Sequence, residues 1–143
     1  MLNKDLDRLL VRNGFLLFLV GLLSGFAVPA LRNSRMGLAA HLEGVLNGIF
    51  LIVLGIVWGR FALSQRARLW LFWLALYGCY MNWATTIFAA AFGSSRRMAI
   101  AGAGFTAEPW QDNVVEFGLV SLSAAIVSAC VIALWGLRRP PTA

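Results

Sequence analysis

Between Arg12 and Arg32 the chain runs for nineteen residues without one ionisable side chain. As a helix rising about 1.5 Å per residue, that run is long enough to span most of the ~30 Å hydrocarbon core of a bilayer. Three further apolar segments follow it. We expect helices over about 13–31, 38–62, 69–92 and 112–137, joined by short polar turns and by one longer loop at 93–111. The first run also has the look of a secretory leader, with Ala27-Val-Pro-Ala30 as a weak cleavage site. It exceeds a usual h-region, however, and is followed by more membrane-type chain. With 60% hydrophobic residues and a mean hydropathy of +0.77, the 143-residue chain is too apolar for a soluble domain. The fold class is therefore all-α, a single four-helix transmembrane bundle over residues 1–143, with no repeat, low-complexity tract or soluble domain.

The net charge of +6 is not the mark of a nucleic-acid binder, because the basic residues gather at the ends of apolar segments. The N-terminus, the turn after helix 2 and the C-terminus hold Lys4, Arg8, Arg12, Arg60, Arg66, Arg68, Arg138 and Arg139. The other two turns hold only Arg32, Arg35, Arg96 and Arg97. This eight-to-four bias predicts that both termini face the cytoplasm. Cys79 and Cys130 both lie in apolar segments and read as packing residues, not as a disulfide framework.

The chemistry collects in Ala40-His-Leu-Glu-Gly-Val-Leu-Asn-Gly48, which carries the only histidine together with an acid and an amide. An ionisable side chain at membrane depth is costly and marks a functional site by default. Helical spacing puts Glu43 and Asn47 on one face, and His41 on another with Gly44, Gly48 and Gly55. The glycine strip has two readings. In one, Gly44-xxx-Gly48 lets a second membrane helix approach closely. In the other, a flat ligand lies against the bare backbone while His41 coordinates it. Measured from the outer helix ends, His41 and Glu116 lie roughly 5 Å deep, Thr86 roughly 9 Å, and Asn47 and Asn82 roughly 15 Å. Such a polar layer in the outer half is what a site inside a bundle requires.

A metal bound by His41 would have no second histidine. One imidazole suits a five-coordinate iron with an open position better than an electron-transfer haem. A zinc site would need Glu43 and Glu116 as well, yet residues i and i+2 of a helix point apart. Without a cofactor, His41 and Glu116 could still act as an acid–base pair.

His41-xx-Gly44-xx-Asn47-Gly48 in a short four-helix chain resembles the motif of the bacterial styrene oxide isomerases. The longer phrase Arg35-Met-Gly-Leu-Ala-Ala-His-Leu-Glu-Gly-Val-Leu-Asn-Gly48 is similar to that of the related hydroxylaminobenzene mutases. Ala75-Leu-Tyr-Gly78, Asn82-Trp83 and Ala101-Gly-Ala-Gly104 share this likeness, which runs from about Gly14 to Arg138. The resemblance implies a homotrimer in the bacterial inner membrane with haem b, in the ferric state, between neighbouring protomers. His41 would be the iron ligand, Gly44 and Gly48 the cofactor-facing backbone, and Asn47 the substrate-facing amide. Asn82 matches a helix-3 asparagine. The isomerases' helix-3 tyrosine falls on Thr86 and their aspartate near Cys79, while Glu43 replaces a small residue.

The expected activity is the rearrangement of a small aromatic hydroxylamine to an ortho-aminophenol. Glu43 or Glu116 would handle protons, Asn47, Asn82 and Thr86 would contact substrate, and Trp83, Phe88 and Tyr80 would form an apolar lining. An epoxide isomerase on the same haem site is the nearest rival, and the absent tyrosine weighs against it. A small proton-coupled exporter is the rival from another class. Such exporters resemble chains with an essential glutamate in helix 1, and here helix 1 has no acid after Arg12.

Overall fold

A computed structural model describes residues 2–138; of the basic residues counted above, Arg139 and the Lys4 side chain lie outside what it describes. Within it are four long helices, α1 (Leu2–Ala27), α2 (Ser34–Ile56), α3 (Gln65–Phe92) and α4 (Pro109–Gly136), and no strand among the described residues. Their outward surface is apolar, with Phe26 85% and Ile56 72% exposed. Water would penalise such a surface, whereas lipid does not. The spans Asp5–Ala30, Ser34–Ile56 and Pro109–Gly136 are long and apolar enough to cross a bilayer, and this is a membrane protein. α3 is as long as α4, at 28 residues each. It is less apolar because Trp70, Trp73, Tyr77, Tyr80, Asn82 and Trp83 interrupt its aliphatic run.

The helix ends depart from expectation where capping outweighs polarity. α1 starts at Leu2, not near residue 13, so the basic N-terminal stretch continues the helix into the apolar span. Asn33 caps α2 by accepting from Met36 N at 3.1 Å, which makes Arg35, Met36 and Gly37 helical and not a turn. α2 ends at Ile56, six residues early, and a 3-10 turn over Trp58–Arg60 follows. α3 starts at Gln65 behind its Ser64 cap. A reciprocal Glu108–Gln111 capping box with Pro109 in the first turn starts α4 before residue 112.

The helices pack in chain order. α1 lies on α2, α2 on α3, and α3 on α4, while α1 meets α3 only lightly, as where Tyr80 Oη donates to Asn13 O at 3.0 Å. α4 has no substantial packing with α1 or α2. The expected bundle is thus a row that remains open along α4. Glycine fixes two of its seams. A Cβ on Gly48 would stand 2.6 Å from Phe18 N and one on Gly44 2.5 Å from Gly21 Cα. A Cβ on Gly118 would stand 2.3 Å from Thr85 Oγ1 across α3 and α4. Helices this close gain dispersion contacts that lipid cannot supply.

Asn33 also ties the outer loops together. It is fully buried, donates from Nδ2 to Ala101 O at 2.8 Å, and its backbone N–H reaches Ala90 O at 3.0 Å. Arg32 donates to Phe92 O at 2.8 Å, and Arg35 to Ala103 O. These bonds hold the long loop down over the outer ends of α2 and α3. At the opposite end Arg68 is spent on the carbonyls of Trp58, Phe61 and Leu63.

Candidate active site

His41 leaves α2 toward α1. Its Nδ1 lies 2.8 Å from Gly21 O. A carbonyl only accepts, so Nδ1 carries the proton and Nε2 is left as the second ring nitrogen. Nε2 has no partner among the described residues. The ring occupies space that Gly25 leaves open, since a Cβ there would come within 2.9 Å of Nδ1. A backbone bond at one ring nitrogen, fixing tautomer and orientation, is the support a metal-ligating imidazole normally has. Among the described residues no three His, Cys, Asp or Glu side chains cluster as a metal site. The donor set therefore fits a metal that brings its other ligands with it.

Glu43 leaves α2 toward α3. Its carboxyl group faces the hydroxyl of Thr86, a residue only 2% exposed. Glu43 Oε2 is itself buried with no partner, and so is Asn47 Nδ2 one turn further along. Trp83 of α3 lies over the glycine between them. Its Cδ1, adjacent to Nε1, would touch a Gly44 Cβ at 2.9 Å, and Nε1 is a third buried atom without partner. Each such atom costs about 1–3 kcal/mol if nothing answers it. Three within one helical turn and its neighbour mark a place built for a polar ligand.

Of the two readings of the glycine strip, the packing of a second helix is the one these contacts match. Gly44, Gly48 and Gly55 are filled by this chain's own α1, through Gly21, Phe18 with Gly14, and Asp7 with Val11. Gly44 and Gly48 pack against α1 within this chain. Glu116 is displaced from its expected role. It is bonded to Arg97, and a second arginine, Arg96, stands 3.9 Å away. The bond holds the Arg97 guanidinium above its ordinary range. Glu116 lies in the first turns of α4 and joins Asp112, which accepts from Ser94 Oγ, in tying the helix to the loop over residues 93–108. We expect Glu116→Gln to leave turnover unchanged, and a loss as large as that of a Glu43 variant would restore Glu116 to the site.

Thr86 faces the Glu43 carboxyl, and Asn47 follows Glu43 one turn further along α2. Asn82, one turn before Thr86 on α3, is half-buried and makes no hydrogen bond among the described residues. Two features went unforeseen. The slot for His41 is cut by Gly21 and Gly25 of α1, whose one-turn spacing is visible in the sequence beside Gly14. Trp83 supplies a polar atom, not merely apolar lining.

Polar atoms left open among apolar helices mark a candidate site within a membrane protein. The styrene oxide isomerase family matches residues 6–138 of the chain. Hydroxylaminobenzene mutase HabB of Ectopseudomonas oleovorans is 46% identical over 140 residues, covering 97% of this chain and 85% of the relative. Hydroxylaminobenzene mutase HabA of the same organism is 40% identical over 131 residues, covering 91% and 97%. No solved structure matches the chain. The chain belongs to the styrene oxide isomerase family and is an isomerase.

Proposed function

We propose that this isomerase converts hydroxylaminobenzene to 2-aminophenol. The N–O bond breaks and the oxygen joins the ortho carbon. The ring gives up that carbon's proton and the nitrogen gains one. Atoms balance without oxidant, reductant or water. The carrying observation is the pair of unpartnered atoms Glu43 Oε2 and Asn47 Nδ2, one able to accept and one able to donate. An N–OH group complements both, and the names of the two relatives supply the substrate class.

The free Nε2 of His41 would hold haem b, whose ferric iron supplies Lewis acidity toward the oxygen. The other tasks fall to the chain. Glu43 takes the ring proton and returns one to nitrogen, within reach of the Thr86 hydroxyl. Asn47 holds the migrating oxygen, and the apolar walls keep out water that would trap the ring as a by-product. All four helices cross the bacterial inner membrane, and both termini lie in the cytoplasm. The row open along α4 is completed in a homotrimer, with the cofactor near the subunit boundary.

Purified protein in detergent, given hydroxylaminobenzene, should yield 2-aminophenol by chromatography. Styrene oxide is the comparison, and turnover of the epoxide alone would overturn the reading. Asn47→Ala should keep the haem absorption and lose about 10–100-fold in kcat, the worth of one well-placed hydrogen bond to the reacting group. An unaltered kcat would remove Asn47 from the site.

A further inference from the structure

Six tryptophans are present, and Trp70, Trp73, Trp110 and Trp135 are exposed on the outer surface. The two inner ones, Trp58 and Trp83, both carry an indole N–H without a partner. Trp83 packs against the same apolar cluster that contains Trp58, but their polar neighbours differ. Trp58 is 2% exposed, packs edge-on to Phe61, and sits in a cluster of aliphatic and aromatic side chains. It has no second open polar atom beside it. Trp83 lies against Gly44, with Glu43 as the preceding residue and Asn47 three residues on, each carrying an open atom of its own.

An orphaned indole N–H beside an orphaned carboxyl oxygen and an orphaned amide would be an unusual accident. All three atoms are buried, and none has a partner. Glycine at 44 is what admits the indole edge, because a Cβ there would meet Trp83 Cδ1 at 2.9 Å. Two N–H donors and one carboxyl match a hydroxyl group, which can accept twice and donate once.

We infer that the Trp83 indole N–H is a hydrogen-bond donor of the substrate site and selects small aromatic ligands bearing one hydroxyl. It acts with Asn47 Nδ2 on the oxygen, while Glu43 takes the hydroxyl proton's hydrogen bond. Trp83 is thereby a specificity residue as well as a wall. The inference rests on the proposed function only for the identity of that hydroxyl, the N–OH of an aryl hydroxylamine.

The probes are benzyl alcohol and toluene, which share the benzyl framework and differ by the hydroxyl. In the intact detergent-solubilised protein, the ultraviolet resonance Raman band that reports indole N–H bonding should shift with benzyl alcohol and stay fixed with toluene. Trp83→Phe should abolish that shift and weaken benzyl alcohol about tenfold, with toluene binding unchanged. Trp83→His, which retains a ring N–H, should recover part of the difference. No shift in the wild-type protein overturns the inference even if Trp83→Phe fails to fold, and that includes a site holding only a buried water. Equal loss of both probes in Trp83→Phe also overturns it, since the ring would then be acting by shape alone. Failure of wild-type turnover with hydroxylaminobenzene, alongside a normal Raman shift, would sink the proposed reaction and spare this site.

Discussion

If His41 holds the proposed haem, His41→Ala should abolish both the Soret absorption and turnover, while the protein still inserts and elutes as the wild-type protein does. The imidazole is held by Gly21 of α1. Its carbonyl receives His41 Nδ1 at 2.8 Å and Ser24 Oγ at 2.7 Å, so losing the imidazole leaves that oxygen satisfied. Stability should therefore fall little. The lost function is a nitrogen donor that no other residue can replace, because the chain has one histidine. Gly25→Val provides a second approach. It changes no polar group, but its Cβ would crowd Nδ1 at 2.9 Å and rotate the ring out of its slot. Haem content should fall in this variant as well, measured by pyridine haemochrome against protein. Full haem content and normal turnover in His41→Ala would reduce the histidine to a packing residue held by a backbone carbonyl.

Much of this architecture is legible in the sequence because membranes enforce long apolar runs with charges at their ends. The existence of α1, α2 and α4 follows from the runs alone. α3 is marked less clearly, since its tryptophans, tyrosines and Asn82 lower its apolarity. Helix ends are misplaced wherever a cap lies inside a polar stretch, as with Asn33 and Glu108. The site divides in the same way. Glu43 and Asn47 are recognisable from the spacing of polar residues along one helix, because that information is local. Their partners are not local. That Glu43 faces Thr86 depends on the register of α2 against α3. That Glu116 goes to Arg97 depends on how the loop over residues 93–108 folds back, which the bonds of Asn33, Arg32 and Arg35 decide. The glycine strip is the clearest instance. Its spacing shows a face without side chains, but only the packing of Gly14 and Gly21 shows that α1 occupies it.

Gly48→Ala should destabilise the protein by about 1–3 kcal/mol, the range for forcing volume into a closed seam. The new methyl would stand 2.6 Å from Phe18 N, 2.8 Å from Gly14 O and 2.8 Å from Phe18 Cα. All three are backbone atoms of α1, and no side chain can rotate away to make room. α1 must instead lift from α2 along the seam, which also loosens Gly21 under His41. Gly59→Ala is the matched control. It makes the same substitution just beyond α2, and nothing lies within 4 Å of its Cβ. Unfolding in a mixed-micelle denaturant series should separate the two variants, with Gly59→Ala at the wild-type midpoint. Haem loss in Gly48→Ala should track the unfolded fraction, because Gly48 supports the imidazole only through α1. Should Gly48→Ala lose haem at full stability, the glycine face would be touching the cofactor after all, and the seam described here would be displaced in the assembled protein.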